Sequence, residues 1–453
     1  MRKNRPRDVA LLILNRDDST RGLQDQYLNP LQDPYCWNDE RDRAFALNVV
    51  QGVRRWKLRL DWIISCFLRF SFEEIEPQVL NILRIALYQI FFMDRVPQSA
   101  AVDEAVKQAR NRSLQTHIRG FVNGILRRIC REKNSIVFPD PYKEPVQYMS
   151  VYYSYPVWLV RKWIKEVGTE RAKCLLDAGN DIPHITCRAN LLRCDRERLA
   201  SSLGKEEIVS RPTHYAPQGL ILESLKVPID SIKAFSEGLF QVQSEAAQIC
   251  SYLLAPSPKD TILDLCAGLG GKSTHLAEIM GDNGKIVALD INPDRLHLLS
   301  ASARRLGIRS VFPVVADAGL PLSPLFGCVF DKILVDGPCT GFGIISRHPE
   351  IKWRRSQSDV RRFAELQKRM LGFSVPLLKS GGRLLYVTCT ISRQENEEVV
   401  RDFLHSQDEI KLLPLTKTGP SWAQELVTED GFFRTYPDLH RMDGFFAALF
   451  VKK

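Results

Sequence analysis

The chain has 453 residues, 44% hydrophobic and 26% charged, long enough for two or three domains with sizeable cores. Eleven cysteines without a C-x-x-C pair or a close Cys/His cluster argue against a disulfide framework or a zinc or other metal site, and point to a reduced, cytoplasmic setting. The opening stretch MRKNRPRDVALLILNRDDS breaks its apolar run at Asn15-Arg16-Asp17-Asp18 without a small-residue cleavage site. It does not read as a secretory leader, no run approaches membrane-spanning length, and no membrane partner is expected. The net charge of +10 favours a polyanionic partner but does not identify one.

Residues 1–140 read as all-helical. DRAFALNVVQGVRRWKLRLDWII, PQVLNILRIALYQIFF, VPQSAAVDEAVKQAR and HIRGFVNGILRRICREKN repeat apolar residues at helical spacing with few glycines. Residues 1–135 hold 23 Lys and Arg against 16 Asp and Glu, so most of the charge excess sits here. Arg41, Arg43, Arg54, Arg55, Lys57, Arg59, Arg119, Arg127 and Arg128 form either a solvated helical face or a surface that tracks phosphates.

Residues 141–240 differ in texture. A Pro- and Tyr-rich stretch leads into a helix at about Pro156–Val167, and HITCRANLL, DRERLASSLG and GLILES then read as strand, helix and strand. This is a small α+β module.

From about Lys259 strands and helices alternate regularly. TILDLCA, KIVALDI, SVFPVVAD, FDKILVDG and GRLLYVTC are strands with helices between them, followed by EIKLLPL and DGFFAALFVKK. The pattern implies a parallel sheet covered on both faces, a Rossmann-like α/β domain. Ligands of such sheets bind at the carboxyl ends of the strands. The first strand runs into Asp264 and a glycine-rich turn with Gly268, Gly270 and Gly271. The second ends at Asp290, placed to accept ribose hydroxyls, and the third at Asp317, placed to meet an adenine amino group. The turn is neither G-x-G-x-x-G nor a P-loop. Together these tips fit S-adenosyl-L-methionine better than a dinucleotide or ATP.

Two cysteines follow strand ends: Cys339 in DGPCTG, after Asp336, and Cys389 in YVTCTISRQENEE. Alone, either reads as a small core residue. On neighbouring strand tips beside a cofactor turn, they suit methylation of a pyrimidine at carbon 5. That carbon becomes nucleophilic only after a thiolate adds at carbon 6, with an acid near ring N3 to balance charge. Ser392 and Glu395, at capping-box spacing, announce the next helix.

DLCAGLGGKSTHLAE, DGPCTGFGIISRHPEIKW and YVTCTISRQENEE closely resemble the motifs of the RNA cytosine-carbon-5 methyltransferase (Sun) family. GLFQVQSEAAQ and RTYPDLHRMDGFFAALF resemble its flanking segments. RDRAFALNVVQGVRRW, LRIALYQIFFMDRVP and RGFVNGILRR resemble the NusB-like RNA-binding domain of the bacterial small-subunit rRNA branch, so the resemblance spans nearly the whole chain. It implies a multidomain protein: a NusB-like helical domain over 1–140, a linker helix and RRM-like module over 141–240, and a class I methyltransferase domain over 241–453.

The resemblance further implies Cys389 as nucleophile, Cys339 as the group assisting product release and Asp336 as the ring N3 acid. It implies S-adenosyl-L-methionine binding by Cys266, Ala267, Gly268, Leu269, Gly270, Gly271, Lys272, Asp290, Asp317 and Asp336, with Lys272 also able to position the cytosine ring. The implied substrate is small-subunit (16S) rRNA, protein-free or partly assembled, and the implied state a monomer. Gly268-Leu269 stands where the family usually has Ala-Pro, which leaves the turn less preorganised, and Gly337 stands where alanine is common. The motifs leave open which nucleotide, or which RNA, is the target. A non-catalytic RNA-binding factor is argued against by the intact acidic and thiol positions, and a DNA methyltransferase by an idle Cys389.

Overall fold

Apolar side chains line one long helix on every side, Pro77–Phe92, where Val79 through Gln89 are all buried. Proline at its first turn donates no N–H and so leaves none unpaired there. In this computed structural model, which describes residues 5–19, 39–223, 225 and 227–453, that helix is the centre of the first of two units. Around it lie Pro6–Ser19, Glu40–Cys66, Gln98–Asn111 and Thr116–Glu132. Glu40–Cys66 is capped by Asp39, whose carboxylate accepts from Arg41 N at 2.8 Å. Gly52 lets it approach closely, for a Cβ there would fall within 2.3 Å of three ring atoms of Tyr88. Three more helices, Pro145–Tyr153, Val157–Val167 and Thr169–Ala178, complete the chain up to Asn180.

The basic cluster of this unit divides in two. Arg54 pairs with Asp17 at 2.7 Å, Arg55 is buried, and Arg59 lies over the rings of Tyr152 and Trp56. These three cations build the unit, while Arg41 and Arg127 are exposed.

The same unit takes in residues His348–Arg355, far along the chain. Lys352 is fully buried, and its ammonium donates to Arg55 O at 3.1 Å, Ser154 O at 3.2 Å and Asn180 Oδ1 at 2.5 Å while lying 3.7 Å from the Tyr155 ring centre. Burial, and then the charge of Arg55, push its pKa well below the usual lysine range. Trp353 Nε1 donates to Arg54 O at 2.6 Å, and Arg354 reaches Asp17 at 3.2 Å.

The second unit is Asp181–Arg347 with Ser356–Lys453, and it holds two sheets. The smaller has β1 (Ile185–Ala189), β2 (Val209–Pro212), β3 (Gly219–Glu223) and β4 (Phe240–Val242) in the order β2-β3-β1-β4, all antiparallel. Two of these, β2 and β4, are absent from the pattern-based reading. They are only four and three residues long, too short for an alternation to mark them.

The larger sheet has β5 (Thr261–Asp264), β6 (Lys285–Asp290), β7 (Val311–Val315), β8 (Phe330–Asp336), β9 (Leu378–Thr388), β10 (Ile410–Leu412), β11 (Phe433–Arg434) and β12 (Phe446–Lys452). Its order is β10-β12-β9-β8-β5-β6-β7, with β11 paired to β12. From β7 to β9 neighbours run parallel, as alternation implies. The sheet is nevertheless mixed, which corrects the all-parallel expectation: β12 inserts antiparallel between β9 and β10. The order of β8, β5 and β6 reverses the direction of travel at β5, so the switch point falls between the tips of β5 and β8.

Candidate active site

Strand β5 delivers Asp264 into the turn that opens helix Gly271–Ile279. Asp264 is buried and accepts from Ser273 Oγ at 2.6 Å. Burial pushes its carboxyl up to about 6 despite that hydrogen bond. The turn takes left-handed backbone at Gly268 (φ +55°) and Gly270 (φ +81°). A Cβ on Gly270 would come within 2.5 Å of Leu299 Cγ, whereas one on Gly268 would meet nothing within 4 Å. Open space therefore adjoins the turn at Gly268, where the next residue, Leu269, is exposed, as is Ile291 just after Asp290. Such a cradle, with backbone bared by glycine and a carboxylate at the next strand tip, fits the nucleoside and amino-acid parts of S-adenosyl-L-methionine.

Asp290, at the tip of β6, is buried and already engaged: Oδ2 accepts from Gly268 N at 3.0 Å and Oδ1 from Asn292 N at 2.8 Å. It holds the glycine turn in place, and each oxygen keeps a second lone pair for a ligand hydroxyl. Asp317 lies just beyond β7, exposed, and accepts from Gly319 N at 2.8 Å. Cys266 and Ala267 precede the turn. Ala267 N donates to Leu289 O at 2.7 Å, and burial raises the Cys266 thiol well above its usual range.

At the tip of β8, Asp336 Oδ2 receives the Lys272 ammonium at 2.5 Å. Burial is the largest single influence and would lower the lysine pKa, but the charge and hydrogen bond of Asp336, with Cys250 and Cys389, together outweigh it, and the pKa is raised. Because β8 and β9 are parallel neighbours, with Asp336 opposite Val387, the loops after them meet. Cys339 Sγ and Cys389 Sγ stand 3.2 Å apart, both free thiols. The hydrogen bond with Cys389, then burial, hold the Cys339 thiol well above its usual range.

The structure thus brings Lys272, Asp336, Cys339 and Cys389 to adjoining tips. One expectation is overturned here. Ser392 and Glu395 form no capping box: the Ser392 hydroxyl is buried with no partner among the described residues. A 3-10 turn over Arg393–Glu395 precedes helix Glu397–Ser406. The Glu395 side chain turns inward instead and accepts from Thr340 N at 2.8 Å and Thr340 Oγ1 at 2.5 Å. The spacing is shared by both arrangements, so sequence could not separate them.

Arg188, in β1, is a second site-supporting residue that sequence reasoning passed over. It is fully buried and donates to both Glu278 oxygens at 3.0 and 2.8 Å, to Thr274 Oγ1 at 2.9 Å, to Gln243 Oε1 at 2.5 Å and to Gly271 O at 2.9 Å. An arginine inside an otherwise apolar strand pattern was its only signal.

A Rossmann-like sheet with a glycine turn, acidic strand tips and two facing thiols defines a class I, S-adenosylmethionine-dependent methyltransferase. Family models match along the chain: NusB family over residues 4–131, the RsmF/B-like ferredoxin-like domain over 155–230, and 16S rRNA methyltransferase RsmB/F over 251–451. The chain is 32% identical to the probable ribosomal RNA small subunit methyltransferase B of Bacillus subtilis, with 100% of each chain covered. It is 34% identical to the protein of that description from Synechocystis, covering 98% of each. The crystal structure of PH0851 matches with a TM-score of 0.80 at 27% identity, covering 99% of both chains. The chain belongs to the RsmB/F family of 16S rRNA methyltransferases.

Proposed function

We propose that this protein methylates carbon 5 of a cytosine in 16S rRNA through a covalent bond between Cys389 and carbon 6 of the ring. The observation that carries the reading is the pair of thiols 3.2 Å apart on neighbouring strand tips, beside the Lys272–Asp336 pair. The YVTCT stretch that carries Cys389 resembles the motif whose cysteine is the nucleophile in RNA cytosine-carbon-5 methyltransferases, which supports Cys389 as the nucleophile and Cys339, its hydrogen-bonded neighbour, as the assisting thiol.

Bound S-adenosyl-L-methionine supplies an electrophilic methyl group. Cys266 to Lys272, Asp290, Asp317 and Asp336 are the residues that would hold it. The Cys389 thiolate adds to carbon 6, forming the S–C bond and pushing the ring's electron pair onto carbon 5. Asp336, paired with Lys272 at 2.5 Å, answers the charge that develops at the N3 side of the ring. After carbon 5 has been methylated, a base takes its proton. The C–H electrons re-form the ring double bond and expel the Cys389 sulfur, and Cys339, in van der Waals reach of that sulfur, assists the release.

Each cysteine variant, incubated with labelled cofactor and unmodified 16S rRNA, tests the roles. Cys389→Ala is expected to abolish both methylation and covalent protein–RNA adduct, whereas Cys339→Ala accumulates adduct. Methylation by Cys389→Ala at the wild-type rate sinks the assignment. Bisulfite sequencing of RNA from a deletion strain locates the cytosine.

A further inference from the structure

We infer that Glu395 is a positioning residue that clamps the two cysteine loops together and so sets the spacing of Cys339 and Cys389. The inference deepens the proposed covalent mechanism and rests on it for its kinetic arm.

Each cysteine is followed by a threonine, Thr340 or Thr390, and the two hydroxyl oxygens are 2.8 Å apart in the fully buried interior. Hydrogen accounting orients the chain. The Thr340 hydroxyl has one proton, which it gives to Glu395 Oε2 at 2.5 Å, so the hydroxyl pair is completed by Thr390 donating to Thr340. Glu395 Oε1 takes the Thr340 N–H at 2.8 Å and a long bond from Gln367 Nε2 at 3.4 Å.

The residue after Glu395 grips the other loop. Asn396 donates to Thr390 O at 2.9 Å and accepts from Thr388 Oγ1 at 2.6 Å. Gly343 N, just downstream of Cys339, donates to Cys389 O at 3.0 Å. The carboxylate thus binds the residue after Cys339 directly and reaches the residue after Cys389 through the Thr340 hydroxyl, and it fixes backbones whose side chains react. A charge-assisted acceptor suits the task, because it takes the amide and hydroxyl of one residue together. Its burial means that water cannot replace it.

The test uses the full-length protein and two independent readouts on Glu395→Gln, Glu395→Ala and Thr390→Val. The first is the rate at which diamide closes a Cys339–Cys389 disulfide without RNA or cofactor. In that reaction both thiols lose their protons, the S–S bond forms, and the diazene is reduced to its hydrazine. This arm reads sulfur spacing and is indifferent to the reaction the enzyme performs. The second is methylation kinetics.

Glu395→Ala and Thr390→Val are expected to slow disulfide closure, and to lower kcat on the order of 10–100-fold with KM for the cofactor little changed, since misplacing a reacting group by about 1 Å costs that much. Glu395→Gln keeps one oxygen acceptor and is expected to recover part of both. If Glu395→Ala does not fold, Thr390→Val and Glu395→Gln carry the test alone. Wild-type rates of disulfide closure in Thr390→Val and Glu395→Gln overturn the clamp. Slowed closure together with a Cys339→Ala enzyme that forms no RNA adduct leaves the clamp standing and overturns the covalent mechanism instead.

Discussion

Asp264 has two oxygens, one hydroxyl partner and no water-facing surface, and this makes it a pH-sensitive point of the fold. With its carboxyl raised to about 6, the native state keeps a proton that the unfolded chain has shed by about pH 4. The extra stability is therefore full below about pH 4 and is lost as pH rises to about 6. Asp264→Asn removes that titration. The difference in urea midpoint between wild type and variant should change across pH 4 to 6 and be flat above it. Parallel curves would show that Asp264 ionises as it does in water. At this scale the sequence was informative about placement, for Cys389 and Asp336 lie at neighbouring strand ends as the pattern implied. It was silent on Glu395, whose spacing from Ser392 matched a local cap while its partner, Thr340, lay 55 residues away. A long-range acceptor leaves no periodic trace in a single chain.

Among elements, the glycine turn after β5 makes unequal demands on its three glycines. Gly270 combines φ +81° with a Cβ position 2.5 Å from Leu299 Cγ, whereas Gly271 has ordinary backbone and only the Gln243 amide at 3.7 Å. Gly270→Ala is expected to cost about 1–3 kcal/mol of stability and to weaken cofactor binding, with Gly271→Ala close to neutral. Thermal melts and calorimetric titration with S-adenosyl-L-methionine check both. Equal effects would mean that the turn relaxes around either change. The strands flanking this turn were legible because buried parallel strands are near-continuous apolar runs. The direction of β12 was not, since an apolar run reads the same for either orientation. Strands β2 and β4 were lost because four and three residues are too few to show a period.

Across the molecule, buried charge is concentrated where segments distant in sequence join. Within the second unit Arg188 ties the small sheet to helix Gly271–Ile279 through Glu278, both fully buried. Arg188→Met strands the Glu278 carboxylate and should cost roughly 3–5 kcal/mol, while adding Glu278→Met recovers most of it. Urea denaturation of the single and double variants decides, and a double variant no better than the single would refute the charge argument. In the first unit the comparable tie is Lys352, donated by a stretch that follows Asn180 by 168 residues (348 − 180). A ribosome adding about 5–20 residues per second needs roughly 10–30 s to make that span. The helices that begin the protein must wait that long, unfinished, for the lysine and tryptophan that close their interior. Their final consolidation is thus timed by synthesis of the loop carrying Cys339, so a nascent chain halted before His348 should expose a helical unit that proteases cut faster than they cut the released protein.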